Sequence, residues 1–233
     1  MSSRQAGVRV VLIEPPKKRE HYDENILLNF YGGGFVMGNA RERAALLMCA
    51  EMKMRVFSVA YSKSPKVKYP VARDEALDVY RQLVHQFGGN NIFCMGSSSG
   101  GQILVSMLLV ARIEKLPMPA CIYLCTPALD LSGAGDSMVS NDGRDVMPAS
   151  LLSAMVKQNY MPKGMDMTDP LYSPLYAEYD VSFPPTVITV GTRDLLLSTG
   201  VRMYWKLRNA DVETELLVGE GMWHGFNWIQ FLC

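Results

Sequence analysis

Ser98 lies at the centre of Gly96-Ser97-Ser98-Ser99-Gly100, with one glycine two positions before it and another two positions after it. This spacing is typical of a sharp turn between a strand and a helix that exposes the serine hydroxyl, because glycine tolerates backbone crowding there. The flanking segments fit, since residues 91–95 are mostly apolar and residues 102–112 are apolar on almost every side. The pattern therefore predicts a nucleophilic serine.

A serine hydroxyl attacks poorly until a base removes its proton, so a histidine partner is needed. The chain has three histidines. His85 lies on the polar stripe of a predicted helix and His21 lies in a charged turn, so both are expected in solvent. His224 follows the last predicted strand, in a loop whose flanking glycines permit a tight turn. We predict His224 as the base, although its position alone fits a structural histidine equally well.

An acid must orient the imidazole and stabilise its protonated form. Asp194 comes directly after a predicted strand that ends at Val190, where proteins with parallel sheets place their reacting groups. Glu220, four residues before His224, is a weaker alternative. The order serine, acid, histidine is the one expected on such a sheet, and one helix and one strand fit between Asp194 and His224.

Donors for a developing oxyanion are the remaining requirement. The triple glycine in Tyr31-Gly32-Gly33-Gly34-Phe35 follows a predicted strand and can present bare backbone N–H groups. The N–H of Ser99 points the same way from the start of its helix. These residues together predict acyl transfer through a serine nucleophile.

Apolar runs that predict strands alternate with longer helical patterns, which indicates an α/β fold with a mostly parallel central sheet and helices on both faces. The predicted strands are residues 8–13, 25–30, 56–60, 91–95, 120–124, 185–190 and 212–218, and the predicted helices are residues 71–87, 102–112 and 199–209. Residues of about 129–184 break the rhythm with prolines and one helical patch at 149–158. This segment predicts a cap-like insertion within a single domain, residues 1–233.

The composition excludes several other classes of protein. Lys plus Arg and Asp plus Glu number 23 each, so no charge excess favours nucleic acid or an anionic membrane. The longest apolar run is too short to span a bilayer, and no signal peptide is evident. An odd count of five cysteines without a disulfide framework indicates a reducing compartment, and we predict a cytoplasmic location. The Cys and His spacing of a zinc site is missing, and no metal is predicted.

Three features together resemble the hormone-sensitive-lipase branch of the α/β-hydrolases in its bacterial form. They are the triple glycine at 32–34, the serine turn at 96–100, and the loops of Asp194 and His224. Thr126-Pro127 with Asp130-Leu131, and Asp169-Pro170 with Ser173-Pro174-Leu175, are similar to the branch as well. The resemblance covers nearly the whole chain and implies an α/β-hydrolase fold, a small acyl ester as substrate and no cofactor. The implied site residues are a triad of Ser98, Asp194 and His224 and an oxyanion hole of Gly32, Gly33 and Ser99.

The chain departs from this branch at two positions. Tyr31 stands where the branch usually has histidine, and Ser97 where it has aspartate. Neither residue is expected to touch the reacting atoms, so we expect altered loop rigidity rather than lost chemistry. We also expect the N-terminal cap and the C-terminal helix of the branch to be missing, which leaves a reduced cap. Relatives often pair through the last strand, and a homodimer is an assembly that the sequence allows.

The leading hypothesis is a serine carboxylesterase that hydrolyses short-chain acyl esters. The alternative is a non-catalytic protein that binds small molecules on the same scaffold, as the plant gibberellin receptors do without the catalytic histidine. Retention of all three triad residues favours the enzyme. A third hypothesis takes Gly32, Gly34 and Gly38 as a dinucleotide-binding turn, but residues 59–61 lack the acid that this motif requires.

Overall fold

The computed structural model describes residues 2–17 and 24–226. An eight-stranded sheet runs through the centre of this part of the chain. Its strands are β1 (Ser2–Gln5), β2 (Val8–Ile13), β3 (Ile26–Phe30), β4 (Arg55–Val59), β5 (Ile92–Ser97), β6 (Cys121–Cys125), β7 (Thr186–Gly191) and β8 (Thr214–Gly219). The α-helices are α1 (Arg43–Met52), α2 (Val71–Phe87), α3 (Ser99–Ile113), α4 (Ser137–Ser140), α5 (Ala149–Ala154) and α6 (Leu197–Asn209).

The strands lie in the order β1-β2-β4-β3-β5-β6-β7-β8. β2 pairs antiparallel with both β1 and β4, and every pair from β4 onward along the sheet is parallel. The prediction of an α/β-hydrolase fold with a mostly parallel sheet is confirmed. All the carboxyl ends of β3, β5, β6 and β7 therefore meet at one edge, where loops can bring side chains together.

Both faces of the sheet are covered, as the sequence predicts. Leu28 and Phe30 of β3 belong to the larger apolar cluster, together with residues of α2 and α3. Leu27, which precedes Leu28 on the strand, belongs to a smaller cluster on α1, with Ala45 and Cys49. Because alternate side chains of a strand point to opposite faces, both faces need apolar residues, and β3 is apolar apart from the buried Asn29.

Several elements differ from the sequence prediction. β1 and α1 are additional, and α1 escapes notice because it packs with small residues such as Ala44 and Ala45. α3 begins at Ser99, since its first turn contains the glycines of the serine turn. The helical patch at 149–158 divides into α5 and a π-helical turn, Met155–Tyr160. Within the described residues, each helix is too short or too polar to traverse a lipid bilayer.

Candidate active site

Ser98 occupies the sharp turn between β5 and α3 in a strained conformation, with φ of 51° and ψ of −119°. The turn is tight because the backbone of α3 passes close to β3. A Cβ on Gly100 would come within 2.0 Å of the Phe30 carbonyl oxygen, and one on Gly96 within 2.7 Å of the Gly101 Cα. Glycine is required at both positions, and the turn directs the Ser98 hydroxyl toward the carboxyl edge of the sheet.

Three side chains that the sequence analysis selected lie in one hydrogen-bonded row. The Ser98 Oγ is 2.9 Å from the His224 Nε2, and the His224 Nδ1 is 3.0 Å from the Asp194 Oδ1. All three residues are buried. A carboxylate can only accept, so Nδ1 carries the proton and donates it to Asp194. Nε2 is then free to accept the Ser98 hydroxyl proton, which is the arrangement that a general base requires.

The other acid–base candidates lie elsewhere. His85 is exposed on α2, as predicted, and Glu220 is exposed after β8. His21 lies outside the described residues. Asp194 is held by its own loop, because its Oδ1 also accepts the Leu196 N–H at 2.7 Å. The structure therefore brings Asp194, rather than Glu220, to His224.

The electrostatic surroundings of His224 favour its protonated form. Burial opposes a charge on the imidazole, but the charge and hydrogen bond of Asp194 and the charge of Asp145 outweigh it. The result is a pKa of His224 above its ordinary value of 6.5. The imidazole can therefore hold the proton of Ser98 once it has accepted it.

The glycine loop after β3 adopts conformations that side chains disfavour. Gly33 and Gly34 have φ of 129° and 58°. The Gly33 carbonyl accepts the N–H groups of Val36 and Met37, at 3.1 and 3.0 Å, which fixes a tight turn. Among the described residues, no protein acceptor takes the N–H of Gly33 or Gly34. Both groups are available to a developing negative charge.

The Glu42 carboxylate lies beside the glycine loop, where the N–H of Gly32, a predicted oxyanion donor, favours its ionised form. Glu42 also accepts from the Asn29 side chain at 3.1 Å. Burial raises the pKa of Glu42 to about 7, and the Asn29 side chain and the Gly32 backbone partly offset this rise. The oxyanion hole of Gly32, Gly33 and Ser99 stays a prediction.

Tyr31, which replaces the usual histidine, packs behind the same loop. Its ring stacks on Tyr61 with centroids 4.2 Å apart. The Tyr61 hydroxyl donates to the Tyr31 carbonyl at 2.7 Å, and the Tyr31 hydroxyl donates to the Tyr61 carbonyl at 3.3 Å. Burial raises the pKa of Tyr31, so its hydroxyl stays neutral. Ser97, the second departure, is buried at the end of β5.

A cavity of about 140 Å³ lies at the carboxyl edge of the sheet, between the β6 loop and the helical turns after α4. It is adjacent to the serine turn, because the Ala128 N–H donates to the Ser98 carbonyl at 3.0 Å. The cavity is lined mainly by apolar side chains, with a few polar ones. The residues that line it are Ala128, Asp130, Leu131, Ser132, Gly133, Met138, Leu152, Ser153, Val156, Lys157 and Leu196.

Asp145 is a residue of the site that the sequence analysis missed. Its Oδ1 accepts the backbone N–H of His224 at 2.9 Å, and its Oδ2 accepts that of Leu195 at 2.7 Å. Carboxylate and imidazole atoms of Asp145, Asp194 and His224 lie within 4.8 Å of one another. Because these atoms already bind N–H groups, the cluster is suited to a hydrogen-bond network rather than to a cation. No sequence pattern distinguishes Asp145 from the other acids of the insertion.

Comparisons with known proteins agree with this architecture. Residues 27–227 match a protein-family model described as alpha/beta hydrolase fold. An esterase of Acinetobacter venetianus is 30% identical over 227 residues, which cover 96% of this chain and 73% of that protein. An ethyl acetate hydrolase of Pseudomonas putida is 28% identical over 93% of this chain and 70% of its own length.

A solved structure of an esterase from the bacterial hormone-sensitive lipase family has a TM-score of 0.89 and 25% identity to this chain. The similarity covers 100% of this chain and 78% of that one. The resemblance to the hormone-sensitive-lipase branch, inferred from the sequence motifs, is confirmed by these matches.

Proposed function

The chain belongs to the alpha/beta hydrolase fold family, and on that premise we propose that it is a serine carboxylesterase that hydrolyses short-chain acyl esters through an acyl-enzyme on Ser98. Its esterase relatives identify a carboxylic ester hydrolase. The observation that carries the mechanism is the continuous row of hydrogen bonds from Ser98 through His224 to Asp194.

Acylation follows from this geometry. The His224 Nε2 takes the proton of Ser98 as the Oγ attacks the ester carbonyl carbon, and Asp194 stabilises the imidazolium that forms. The tetrahedral intermediate collapses, and the alcohol leaves with the proton that His224 returns to it. Ser98 then carries the acyl group.

Deacylation uses the same groups in reverse. Water takes the place of the alcohol, and His224 removes a proton from it as its oxygen attacks the acyl carbon. The second tetrahedral intermediate expels the Ser98 oxygen, which recovers its proton from His224, and the carboxylic acid is released. No cofactor or metal enters either step, and the charge that develops is carried by Asp194, His224 and the oxyanion donors.

We assign the oxyanion hole to the N–H groups of Gly32, Gly33 and Ser99. Donors held by the backbone are effective because they need no reorganisation when charge develops, and each contributes a factor of about 10² to 10³ in rate. The tight turn around the Gly33 carbonyl keeps the loop in place.

The preference for short acyl chains is supported by the cavity at the carboxyl edge of the sheet, next to the backbone of the serine turn. At about 140 Å³ it is below the range of about 300–1,000 Å³ that is usual for sites of drug-sized ligands. Its lining is mainly apolar, as an acyl chain requires. Met155 packs against the glycine loop, since its Sδ would meet a Cβ placed on Gly34.

Two further parts of the proposal rest on the sequence. The substrate is a small ester rather than a nucleic acid, because the chain has no excess of basic residues. A cytoplasmic location stays a prediction from cysteine usage. The four cysteines among the described residues are free, as expected in a reducing compartment. The alternative of a non-catalytic binding protein requires the triad to be idle.

Hydrolysis of p-nitrophenyl acetate, butyrate, octanoate and laurate tests the function. We expect the acetate and butyrate to be preferred, and Ser98→Ala to reduce kcat by about 10³-fold or more. Ser140→Ala removes an exposed hydroxyl from α4 and is the matched control, expected to keep wild-type kinetics. No turnover by wild type would exclude the enzyme, equal turnover by Ser98→Ala would exclude Ser98 as the nucleophile, and a preference for laurate would exclude short-chain specificity.

A further inference from the structure

We propose that Asp145 is a positioning residue for the reaction, because it joins the loops of Asp194 and His224 and adds a second negative charge beside the imidazole. This inference rests on the proposed function and deepens it. Asp145 comes from the segment between β6 and β7, so that segment contributes to the hydrolytic machinery as well as covering the site.

The two oxygens of Asp145 bind two different loops. Oδ1 accepts the His224 N–H and Oδ2 accepts the Leu195 N–H, at 2.9 and 2.7 Å. Leu195 directly follows Asp194, so one carboxylate fixes the backbone of the acid and of the base relative to each other. Charge-assisted hydrogen bonds of this kind are short and about twice as strong as neutral ones.

Asp145 is the last of three polar residues spaced four apart that bind the acid loop. The Ser137 Oγ donates to the Leu195 carbonyl at 2.7 Å, and the Asn141 Nδ2 donates to the Asp194 carbonyl at 2.8 Å. Of these three residues, Asp145 is the one that also binds the His224 loop. Loss of Asp145 therefore removes one link to the His224 loop, while the Arg193 N–H still donates to the Met222 carbonyl at 2.8 Å. Ser137 and Asn141 still hold the acid loop.

The carboxylate also acts on the imidazole through its charge. Two carboxylates of the described residues act on His224 through their charge: Asp194, from the loop after β7, and Asp145, from the insertion. Both favour the imidazolium and raise the pKa of His224 against the effect of burial. A purely structural role for Asp145 would affect stability and rate, whereas a charge effect must also move the pH at which His224 loses its proton.

Asp145→Asn separates these effects, because the amide keeps one acceptor oxygen and removes the charge. We expect kcat to fall about tenfold, by analogy with groups that orient a catalytic ligand. We also expect the pKa of the acid limb of kcat/KM to fall by about 0.5 to 1 unit, since a nearby carboxylate favours the protonated histidine. Asp145→Glu keeps the charge but not the geometry, so it should lower kcat and leave the acid limb close to that of wild type.

Asp142→Asn is the matched control. Asp142 is an exposed acid of the same segment, three residues away, and its Oδ1 accepts the Ala149 N–H at 3.0 Å. An asparagine can keep that contact, and an exposed charge is screened by solvent. We therefore expect wild-type kcat and an unchanged acid limb.

A proton NMR titration of the His224 ring, assigned by its loss in His224→Gln, gives a readout that needs no turnover. A lower His224 pKa in Asp145→Asn than in Asp142→Asn is the expected result. Equal His224 pKa values in wild type and both variants would overturn the inference. If wild type shows no Ser98-dependent hydrolysis, the proposed function fails, and this titration still decides whether Asp145 acts on the imidazole.

Discussion

The imidazole of His224 has a hydroxyl on one side and two carboxylates on the other, which sets the pH range of the reaction. Its pKa lies above 6.5 because the charges of Asp194 and Asp145 outweigh the effect of burial. The neutral imidazole is the base. The neutral fraction of His224 is small below this pKa and approaches one above it. The acid limb of kcat/KM therefore belongs to His224.

We predict that kcat/KM for p-nitrophenyl acetate rises with pH through a pKa above 6.5 and then reaches a plateau. A pH–rate series between about pH 5 and 9, corrected for spontaneous hydrolysis, checks it. A profile that is level over this range, or an acid limb well below 6.5, would contradict His224 as the base in these surroundings.

Sequence reasoning could select Ser98, Asp194 and His224 because each lies in a recognisable setting. Ser98 lies between spaced glycines, Asp194 follows a predicted strand, and His224 is one of few histidines. A chain with three histidines leaves few choices for a base. It could not find Asp145, since an acid within a long irregular segment carries no pattern.

The loop after β3 is the element whose backbone matters most to the proposed chemistry. A Cβ on Gly33 would approach the Met37 carbonyl oxygen to 2.4 Å, and its φ of 129° is one that side chains rarely adopt. The atom in the way is backbone, so the loop itself would have to move. Any such movement displaces the N–H groups of Gly33 and Gly34.

We predict that Gly33→Ala lowers kcat by about 100-fold or more, which is the effect of losing an oxyanion donor. Steady-state kinetics with p-nitrophenyl acetate measures it. Gly164→Ala is the control, because Gly164 also has a positive φ, of 75°, but open space around its Cβ position. Wild-type kcat in Gly33→Ala, with the fold intact by circular dichroism, would exclude this loop as the oxyanion hole.

Elements with strong periodicity were the ones that the sequence predicted well. α2 extends over Val71–Phe87, with the predicted bounds, because its polar and apolar stripes are distinct. α3 is apolar all round, so its start at Ser99 depends on the serine turn rather than on periodicity. The π-helical turn at Met155–Tyr160 has no sequence signature, since it depends on packing of the insertion against the site.

At the scale of the whole molecule, stability and catalysis depend on different residues. The larger apolar cluster includes α2, α3 and most strands, and it supports the serine turn from below. Leu108 lies on α3 nearly three turns beyond Ser98 and is fully buried. Its removal should weaken the fold without altering the site.

We predict that Leu108→Ala lowers the free energy of unfolding by about 2–5 kcal/mol, the usual cost of a cavity at a buried leucine. Urea denaturation followed by circular dichroism measures it, and kcat/KM of the folded protein should stay within about threefold of wild type. Ile113→Ala, at a position 71% exposed on the same helix, is expected to change stability by at most about 0.5 kcal/mol. Equal losses in the two variants would contradict this view of the core.

The single domain with its cap-like insertion at about 129–184, and the homodimer, stay predictions. β8 is an edge strand of the sheet and exposes Leu217 and Val218. Glu213 and Glu215 on and beside it are exposed and oppose simple pairing of two such edges. Size-exclusion chromatography with light scattering determines the assembly state.

Detection of the acyl-enzyme tests the central claim most directly. The protein is mixed with p-nitrophenyl butyrate, quenched in acid within milliseconds, digested and analysed by mass spectrometry. We predict one butyryl group on the peptide that contains Ser98, at the Ser98 oxygen, and none in Ser98→Ala. Rapid release of butyrate with unmodified Ser98, or an adduct that persists in Ser98→Ala, would contradict it.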